Sequence, residues 1–526
     1  MAHKPTEQQA AITAASVDLR NGEVMKVIAG AGAGKTSTLK LCAEANRRRG
    51  IYLAFNKEIA TEAKEKLKST KCTAMSMHGL AYTALGREII GTPSNLTARS
   101  FIQAGVMDAH HVPSVKGWGP YRIAAAVLRT MSAFAASADT EFLPSHARDG
   151  LIESMGDPEL IVCKEKAAAV LDAIEKLSQP LAEMAEDYWV RCMNEDSYSH
   201  DMYLKLLDLD AGLRKTAFAR YKYVMIDEAQ DLNPVQRSIL EKAGLPLIAV
   251  GDPYQQIYSW RGAENALELL PGKEYLLSQS FRFGDNIASI ARQVLASIPD
   301  GGPSYRLEGV GPGTHDGGPK GAVLCRTNMG MLDEAIYYIN KGHQVFVDNI
   351  DGLVKEARSA QALFEGRLDD VTVTELKQFD DFSEMEIAAE EGGDPGLSKL
   401  VQLVKTKRIG DVERLAANQT SKSSEAKIAV YTAHRSKGLE FPAVQLGKDW
   451  PEISAMERRF KMAESQSANH VTLAREAYNT LYVAVTRAMF RIKGHGRIFE
   501  LTSAPQPTGA MTQEEAAENY RSAAPY

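Results

Sequence analysis

Apolar runs followed by charged, helix-period stretches mark the start of the chain. Val24-Met25-Lys26-Val27-Ile28-Ala29 leads into a glycine-rich turn, and Ser37 to Arg47 follows with helical spacing, which predicts the first strand and helix of an α/β unit. Gly50 to Phe55 predicts a second strand, and the charged stretch from about Lys57 to Lys68 an amphipathic helix. The alternation then stops. From roughly Leu85 to His200 the pattern is mainly helical, with apolar runs at Ala124 to Ala136 and Ala167 to Leu177. Tyr223 to Ile226 and Pro246 to Val250 resume the strands, so the helical stretch reads as an insertion into the first α/β domain.

A second α/β unit is predicted from Gly321 to Cys325, Gln344 to Val347 and Lys427 to Tyr431. Gly301-Gly302 through Gly317-Gly318, rich in glycine and proline, predicts a loop or surface hairpin ahead of it. The polar segment between the last two strands is strongly acidic from Asp369 to Asp394, and reads either as a small second insertion or as a disordered linker. The resulting division is 1–84 and 201–278 for the first domain, with 85–200 as its helical insertion. The second domain takes 279–348 and 427–503, with 349–426 as its reduced insertion, and 504–526 is a polar tail in which Ala510 to Ala517 has helical composition.

Composition adds mostly exclusions. With 526 residues, more than one domain is expected. No stretch approaches about 18 consecutive apolar residues, and the first residues lack the apolar core of a signal peptide. No membrane partner and a cytoplasmic location are therefore the expectation. Cys42, Cys72, Cys163, Cys192 and Cys325 are too scattered for a metal-binding pair or a disulfide framework. A formal net charge of -6 gives no global footprint of a nucleic-acid binder, so any such contact must be a local track.

The candidate chemistry begins at Ala29-Gly30-Ala31-Gly32-Ala33-Gly34-Lys35-Thr36-Ser37. It matches the phosphate-cradling G-x-x-x-x-G-K-T pattern at every fixed position except the first, where Ala29 stands for glycine. Small residues let successive backbone amides face phosphate oxygens, Lys35 reaches the β- and γ-phosphates, and Thr36 can hold magnesium. Asp227-Glu228 closes the apolar run Val224-Met225-Ile226, at the strand end where open α/β sheets bind ligands. Asp227 suits magnesium, directly or through water, and Glu228 suits deprotonation of an attacking water. Gln255, Arg282 and Arg487 are candidates for a polar group near that water and for positive charge on the transferred phosphoryl group, although their spacing alone does not bring them together.

In this order the motifs resemble those of the superfamily 1A DNA helicases, the UvrD, Rep and PcrA family. The wording is closest to the F-box-type DNA helicase branch, without an F-box segment. The resemblance implies two RecA-like parallel-sheet P-loop domains. It also implies an adenine-reading role for Gln8, nucleic-acid contacts from Phe55 and Asn56, and further contacts from Thr73 and His78 in Thr73-Ala74-Met75-Ser76-Met77-His78-Gly79. In Gly251-Asp252-Pro253-Tyr254-Gln255-Gln256-Ile257-Tyr258-Ser259-Trp260-Arg261, it makes Gln255 the γ-phosphate sensor and turns Tyr258, Trp260 and Arg261 toward nucleic acid. Ser280-Phe281-Arg282 looks like the motif that stacks an aromatic ring on adenine and sets an arginine on phosphate, with Phe281 in place of the usual tyrosine.

In the second domain Arg326 is similar to a backbone-contacting arginine. Thr432-Ala433-His434-Arg435-Ser436-Lys437-Gly438-Leu439-Glu440-Phe441 resembles the family's T-x-H-x-x-K-G-L-E-F segment, which implies nucleic-acid contacts for Thr432 and His434 and a nucleotide-sugar contact for Glu440. Tyr482-Val483-Ala484-Val485-Thr486-Arg487-Ala488 looks like the segment bearing the arginine finger, Arg487. The activity implied is ATP- and Mg²⁺-dependent 3′-to-5′ DNA unwinding and translocation on single-stranded DNA, with single-strand/duplex junctions as substrates, in repair, recombination or replication. An ATP-driven translocase or sensor, working with a repair or phage-defence protein partner and unwinding little, is the alternative.

Overall fold

A computed structural model of the chain describes residues 4–54, 56–86, 93, 96–115, 118–155, 164–258, 262–303, 305–312, 321–347, 350–373, 376, 379, 381–392, 395–420, 423, 426–465 and 468–494. They fall into two compact units. The first comprises residues 1–80, 217–348 and 418–526, and the second residues 81–216 and 349–417.

The first unit contains two parallel sheets. One has six strands: β1 (Val24–Ala29), β2 (Gly50–Ala54), β3 (Cys72–Ser76), β4 (Tyr223–Ile226), β5 (Leu247–Gly251) and β6 (Lys273–Leu277), in the order β3-β2-β4-β5-β1-β6. β2, β4 and β5 are buried at every residue, as strands covered on both faces must be. β6 lies at an edge and carries polar residues there. Its Glu274 Oε1 sits 2.8 Å from Nζ of Lys26, which accounts for a lysine on the otherwise apolar β1. Because all pairings are parallel, the turns after β1 and β4 emerge at the same edge, and the chemistry of both motifs meets there.

A two-stranded ribbon of β7 (Gln279–Ser280) and β8 (Glu308–Gly309) follows. The second sheet contains β9 (Gly321–Cys325), β10 (Val345–Val347), β11 (Ile428–Thr432), β12 (Phe441–Leu446) and β13 (Ala488–Lys493), in the order β10-β11-β9-β12-β13. Trp450, Phe460, Tyr478 and Leu481 pack its core, and the Trp450 indole N–H donates to the Leu324 carbonyl at 2.8 Å. This is the predicted pair of RecA-like cores. Ala31 of the phosphate loop belongs to the same buried cluster as the second sheet's helices, so the two cores share one packed contact.

The second unit is helical. Pro120–Ala136, Pro144–Met155 and Lys164–Asn194 come from the first insertion, and His200–Leu209, which follows it, belongs to the same unit. Phe134, Phe142 and Trp189 form its aromatic centre, with Phe134 to Phe142 centroids 3.9 Å apart and Phe134 to Trp189 centroids 5.3 Å apart. The buried Lys205 ammonium lies 4.3 Å over the Phe134 ring and donates to the Ser137 carbonyl at 2.9 Å, near the end of Pro120–Ala136 where helix carbonyls favour a cation. Ile350–Phe364, Phe382–Gly392, Pro395–Lys405 and Ile409–Asn418 come from the second insertion. The acidic stretch is therefore a helical insertion and not a linker. It packs against the first: Phe382–Gly392 contacts Pro120–Ala136, and the Phe379 and Tyr121 rings lie 6.4 Å apart. The predicted tail helix at Ala510 to Ala517 lies outside the described residues.

Candidate nucleotide site and nucleic-acid face

The phosphate loop leaves β1 at Ala29, and its helix runs Lys35–Ala45, beginning earlier than the predicted Ser37 because Gly34 adopts φ 75° and turns the chain directly into it. Ala29, Ala31 and Ala33 are buried, and Ser37 is exposed on the first helical turn. Gly32 has φ 72°, and a Cβ there would lie 2.5 Å from Ser280 Oγ and 2.6 Å from Arg282 Cβ, so only glycine lets the loop lie this close to the arginine segment. The Phe281 N–H donates to the Gly32 carbonyl at 2.9 Å. Both ends of the Gln8 amide engage Ser278, its Nε2 donating to Oγ at 3.0 Å and its Oε1 accepting from the backbone N–H at 3.0 Å, which pins the N-terminal helix to the strand leading into Phe281.

Lys35 Nζ lies 3.3 Å from Glu228 Oε1. Asp227 Oδ2 accepts from Thr36 Oγ1 at 3.3 Å and from the buried Tyr52 hydroxyl at 2.8 Å, while Oδ1 accepts from the Glu228 N–H at 2.9 Å. Glu228 adopts φ 56°, an uncommon conformation for a side-chain-bearing residue and one that concentrates at functional turns. Burial, reinforced by neighbouring Glu228, raises the Asp227 carboxyl above its usual range despite Lys35. For Glu228 burial acts in the same direction but is outweighed by the Lys35 and Lys437 charges, which hold it ionised. The hydroxyl and carboxylate of Thr36 and Asp227 form the hard, all-oxygen donor pair that Mg²⁺ requires, so the residues fit that ion.

A chain of polar contacts runs from here to the second core. Gln230 Nε2 donates to Glu228 Oε2 at 2.6 Å, and Gln230 Oε1 accepts from the Asp252 N–H at 3.0 Å. Asp252 Oδ2 accepts from Gln255 Nε2 at 2.7 Å, and Gln255 Oε1 accepts from Arg487 at 3.3 Å. Arg487 is 2% exposed and also donates to the Val483 carbonyl at 3.0 Å. Burial and then the adjacent Arg282 lower its guanidinium to about 9, which still leaves it cationic at neutral pH. Arg282 donates to Glu440 Oε1 at 2.7 Å and to the Thr486 carbonyl at 3.0 Å. The structure thus links Lys35, Asp227, Glu228, Gln255 and Arg487 through polar contacts, with the Arg282–Glu440 pair beside Arg487.

Three further residues complete the junction. Lys437 Nζ donates to Asp231 Oδ2 and, at 2.8 Å, to the Gln255 carbonyl. The Tyr482 hydroxyl donates to Asp252 Oδ2 at 3.2 Å and accepts from the phosphate-loop Ala31 N–H at 3.2 Å. Tyr52 braces Asp227 from the middle of an apolar strand. Lys437 and Tyr482 stand inside motifs visible in the sequence, which carry no sign of which neighbour they meet; nothing in the pattern around Tyr52 distinguishes it from a packing residue.

The nucleic-acid candidates divide. Tyr258, His434 and Lys437 lie together: the Tyr258 and His434 rings are 6.2 Å apart, and the Lys437 ammonium is 5.0 Å from the Tyr258 ring. Thr432 Oγ1 caps the short turn holding His434, accepting from the Arg435 N–H at 3.4 Å. Asn56 is exposed at the end of β2, where Oδ1 accepts the Ile59 N–H at 2.8 Å. His78 follows the end of β3, but Thr73 does not join it. Thr73 pairs with Ile51 near the beginning of β3, and the residue at the strand end is Ser76, whose hydroxyl accepts the Gly79 N–H at 3.1 Å. Arg326 follows β9, its N–H bound to Asp449 Oδ1 at 3.1 Å. Phe55, Trp260 and Arg261 lie outside the described residues.

Two parallel α/β cores, with a phosphate loop and paired carboxylates in the first and an arginine of the second meeting its glutamine, define a two-core P-loop nucleotide protein. The chain belongs to the UvrD/Rep helicase family: the UvrD/REP helicase N-terminal domain matches residues 6–274 and the UvrD-like helicase C-terminal domain residues 334–492. F-box DNA helicase 1 of Gallus gallus is 27% identical over 501 residues, covering 89% of this chain and 47% of the relative. F-box DNA helicase protein 1 of Schizosaccharomyces pombe is 26% identical over 520 residues, covering 90% and 56%, and DNA helicase IV of Escherichia coli is 23% identical over 322 residues, covering 53% and 46%. The chain thus spans about half the length of these relatives. Among the described residues, no helix is long and apolar enough to cross a membrane.

Proposed function

We propose that the protein is an ATP-dependent 3′-to-5′ DNA helicase and single-stranded DNA translocase, acting on single strands and single-strand/duplex junctions. The observation that carries this reading is the contact of Arg487, from the second core, with Gln255, which shares a polar chain with Glu228 and Lys35 in the first. Residues 1–84 and 201–278 form one motor core and 279–348 and 427–503 the other, with 85–200 and 349–426 as insertions and 504–526 as a tail.

In this mechanism the loop amides and Lys35 hold the ATP phosphates, while Gln8 and Phe281 hold the adenine. Thr36 and Asp227 would hold Mg²⁺, which would supply positive charge to the transferring phosphates. Glu228, kept ionised by Lys35 and Lys437, takes the proton of the attacking water. Arg487 and Arg282 neutralise charge that develops on the phosphoryl group, and Gln255 orients the water. Lys437 touches both the Asp231 side chain and the Tyr258 ring, so a change in cleft closure is felt at the aromatic face on which a base can stack. The 3′-to-5′ polarity rests on the family resemblance.

Lys35→Ala abolishes ATP turnover in this reading, and turnover that persists with DNA stimulation would remove the site. Unwinding of forked duplexes and of duplexes with 3′ or 5′ tails tests the motor and its direction. The modest size of the second insertion favours a second reading, a translocase or sensor that displaces proteins and unwinds little. ATP-driven strand movement without separated product supports it.

A further inference from the structure

The helix Asn328–Asn340 begins at the Arg326 loop and carries Tyr337 on its surface, 38% exposed. The Lys341 ammonium, from just beyond the helix end, lies 4.4 Å from the centroid of that ring. Lys448, exposed on the turn after β12, also places its ammonium 4.4 Å from the same centroid. Lys448 is joined to the Arg326 loop through its neighbour. Asp449 accepts from the Arg326 N–H at 3.1 Å, the Thr327 N–H at 2.7 Å and the Thr327 hydroxyl at 2.9 Å. The backbone N–H of Lys448 is in turn held by Glu334 Oε1 of the same helix at 3.1 Å. Tyr337, both lysines and the arginine loop are therefore one surface fixed by buried or satisfied carboxylates.

We propose that this surface, formed by Tyr337, Lys341 and Lys448, is an additional binding site for the phosphodiester backbone of nucleic acid, continuous with Arg326. It rests on the reading of the Arg326 loop as a nucleic-acid contact and extends that track along the outer face of the helix.

The charge argument is the main one. Among the described residues, Arg326, Lys341, Lys448 and the nearby Arg459 enter no ion pair, in a chain whose net charge is -6. Asp449 accepts from two amides and a hydroxyl, so it positions the loop, and its charge offsets that of Arg326 only in part. Burial, and then the Arg459 charge, lower the Arg326 guanidinium against the opposing charge of Asp449, the direction expected for a cation beside another cation. The hydrogen bond from Lys341 and the two lysine charges pull the Tyr337 phenol below its ordinary value. An exposed cation–π contact is weak, so the ring positions both ammonium groups without discharging them. A polyanion with regularly spaced charges suits such a row, because each contact releases counterions from the strand.

The test uses the full chain and fluorescently labelled single-stranded DNA, with affinity measured across a salt series. Lys341→Ala with Lys448→Ala should weaken binding about three- to tenfold and reduce the slope of log affinity against log salt by about 1.4, the value for two single-strand phosphate contacts. Lys341→Arg with Lys448→Arg should restore both, which a merely structural role would not explain. Unchanged affinity and slope in the alanine pair, with Arg326→Ala weakening binding, would overturn this surface alone and point to an acidic protein as its partner. If Arg326→Ala also has no effect, the underlying reading of the loop falls too.

Discussion

Replacing Lys437 with methionine removes the cation facing the Asp231 carboxylate, whose side chain is 1% exposed. Burial raises that carboxyl to about 6, although Lys437 opposes the rise. The folded-state value lies above the ordinary value of about 3.9, so the proton on Asp231 contributes stability that is fully present below the unfolded pKa and lost as pH rises through about 6. At pH 7 the ionised carboxylate therefore costs folding about 3 kcal/mol relative to its protonated form. Without Lys437 the folded pKa rises further, and at pH 7 the carboxyl escapes by taking a proton, which caps the cost at about 4 kcal/mol. The variant loses about 1 kcal/mol through Asp231 and about 1 more through the unanswered Gln255 carbonyl, less than the roughly 3–5 kcal/mol usual for a broken buried pair.

Urea unfolding of the nucleotide-free protein at pH 5 and pH 7 checks this. At pH 5 the wild-type carboxyl is already largely protonated, so the Asp231 part of the loss disappears. The double variant with Asp231→Asn should be at least as stable as wild type at pH 7. A Lys437→Met loss larger at pH 5 than at pH 7, or no recovery in the double variant, would refute the reasoning.

Glu228→Gln preserves the shape that meets Lys35 and Gln230 but removes the base, and should lower kcat for ATP roughly 10²- to 10⁴-fold while nucleotide still binds; steady-state turnover beside equilibrium nucleotide binding reads both. Arg487→Ala should lower kcat by about 10³-fold or more, and near-normal turnover would mean that Arg487 is a packing residue of its helix. Gly311→Ala would push a methyl group into the Phe281 carbonyl, displacing the ring proposed to stack on adenine, and should raise KM for ATP roughly tenfold with a smaller change in kcat; an unchanged KM counts against that stacking role.

The chain by itself determined what depends on neighbouring residues. The strand, glycine turn, lysine and threonine of Val24 to Thr36 form a phosphate loop because its amides belong to consecutive residues, and the apolar run before Asp227 places that carboxylate at a strand end. The same local logic separated the helical insertion from the α/β rhythm. Only the tertiary structure decided which distant groups meet. Tyr482 lies 451 positions from the Ala31 amide it accepts from, Arg487 lies 232 from Gln255, and Lys437 lies 206 from Asp231. Such pairings leave no periodicity, because they arise where parallel strand ends and loops converge. Thr73 makes the same point from the other side, since its place in the motif could not reveal that β3 carries it away from His78. The union of two insertions into one helical unit was likewise beyond the sequence, because each reads as an amphipathic segment with an apolar face and neither names the surface that covers it.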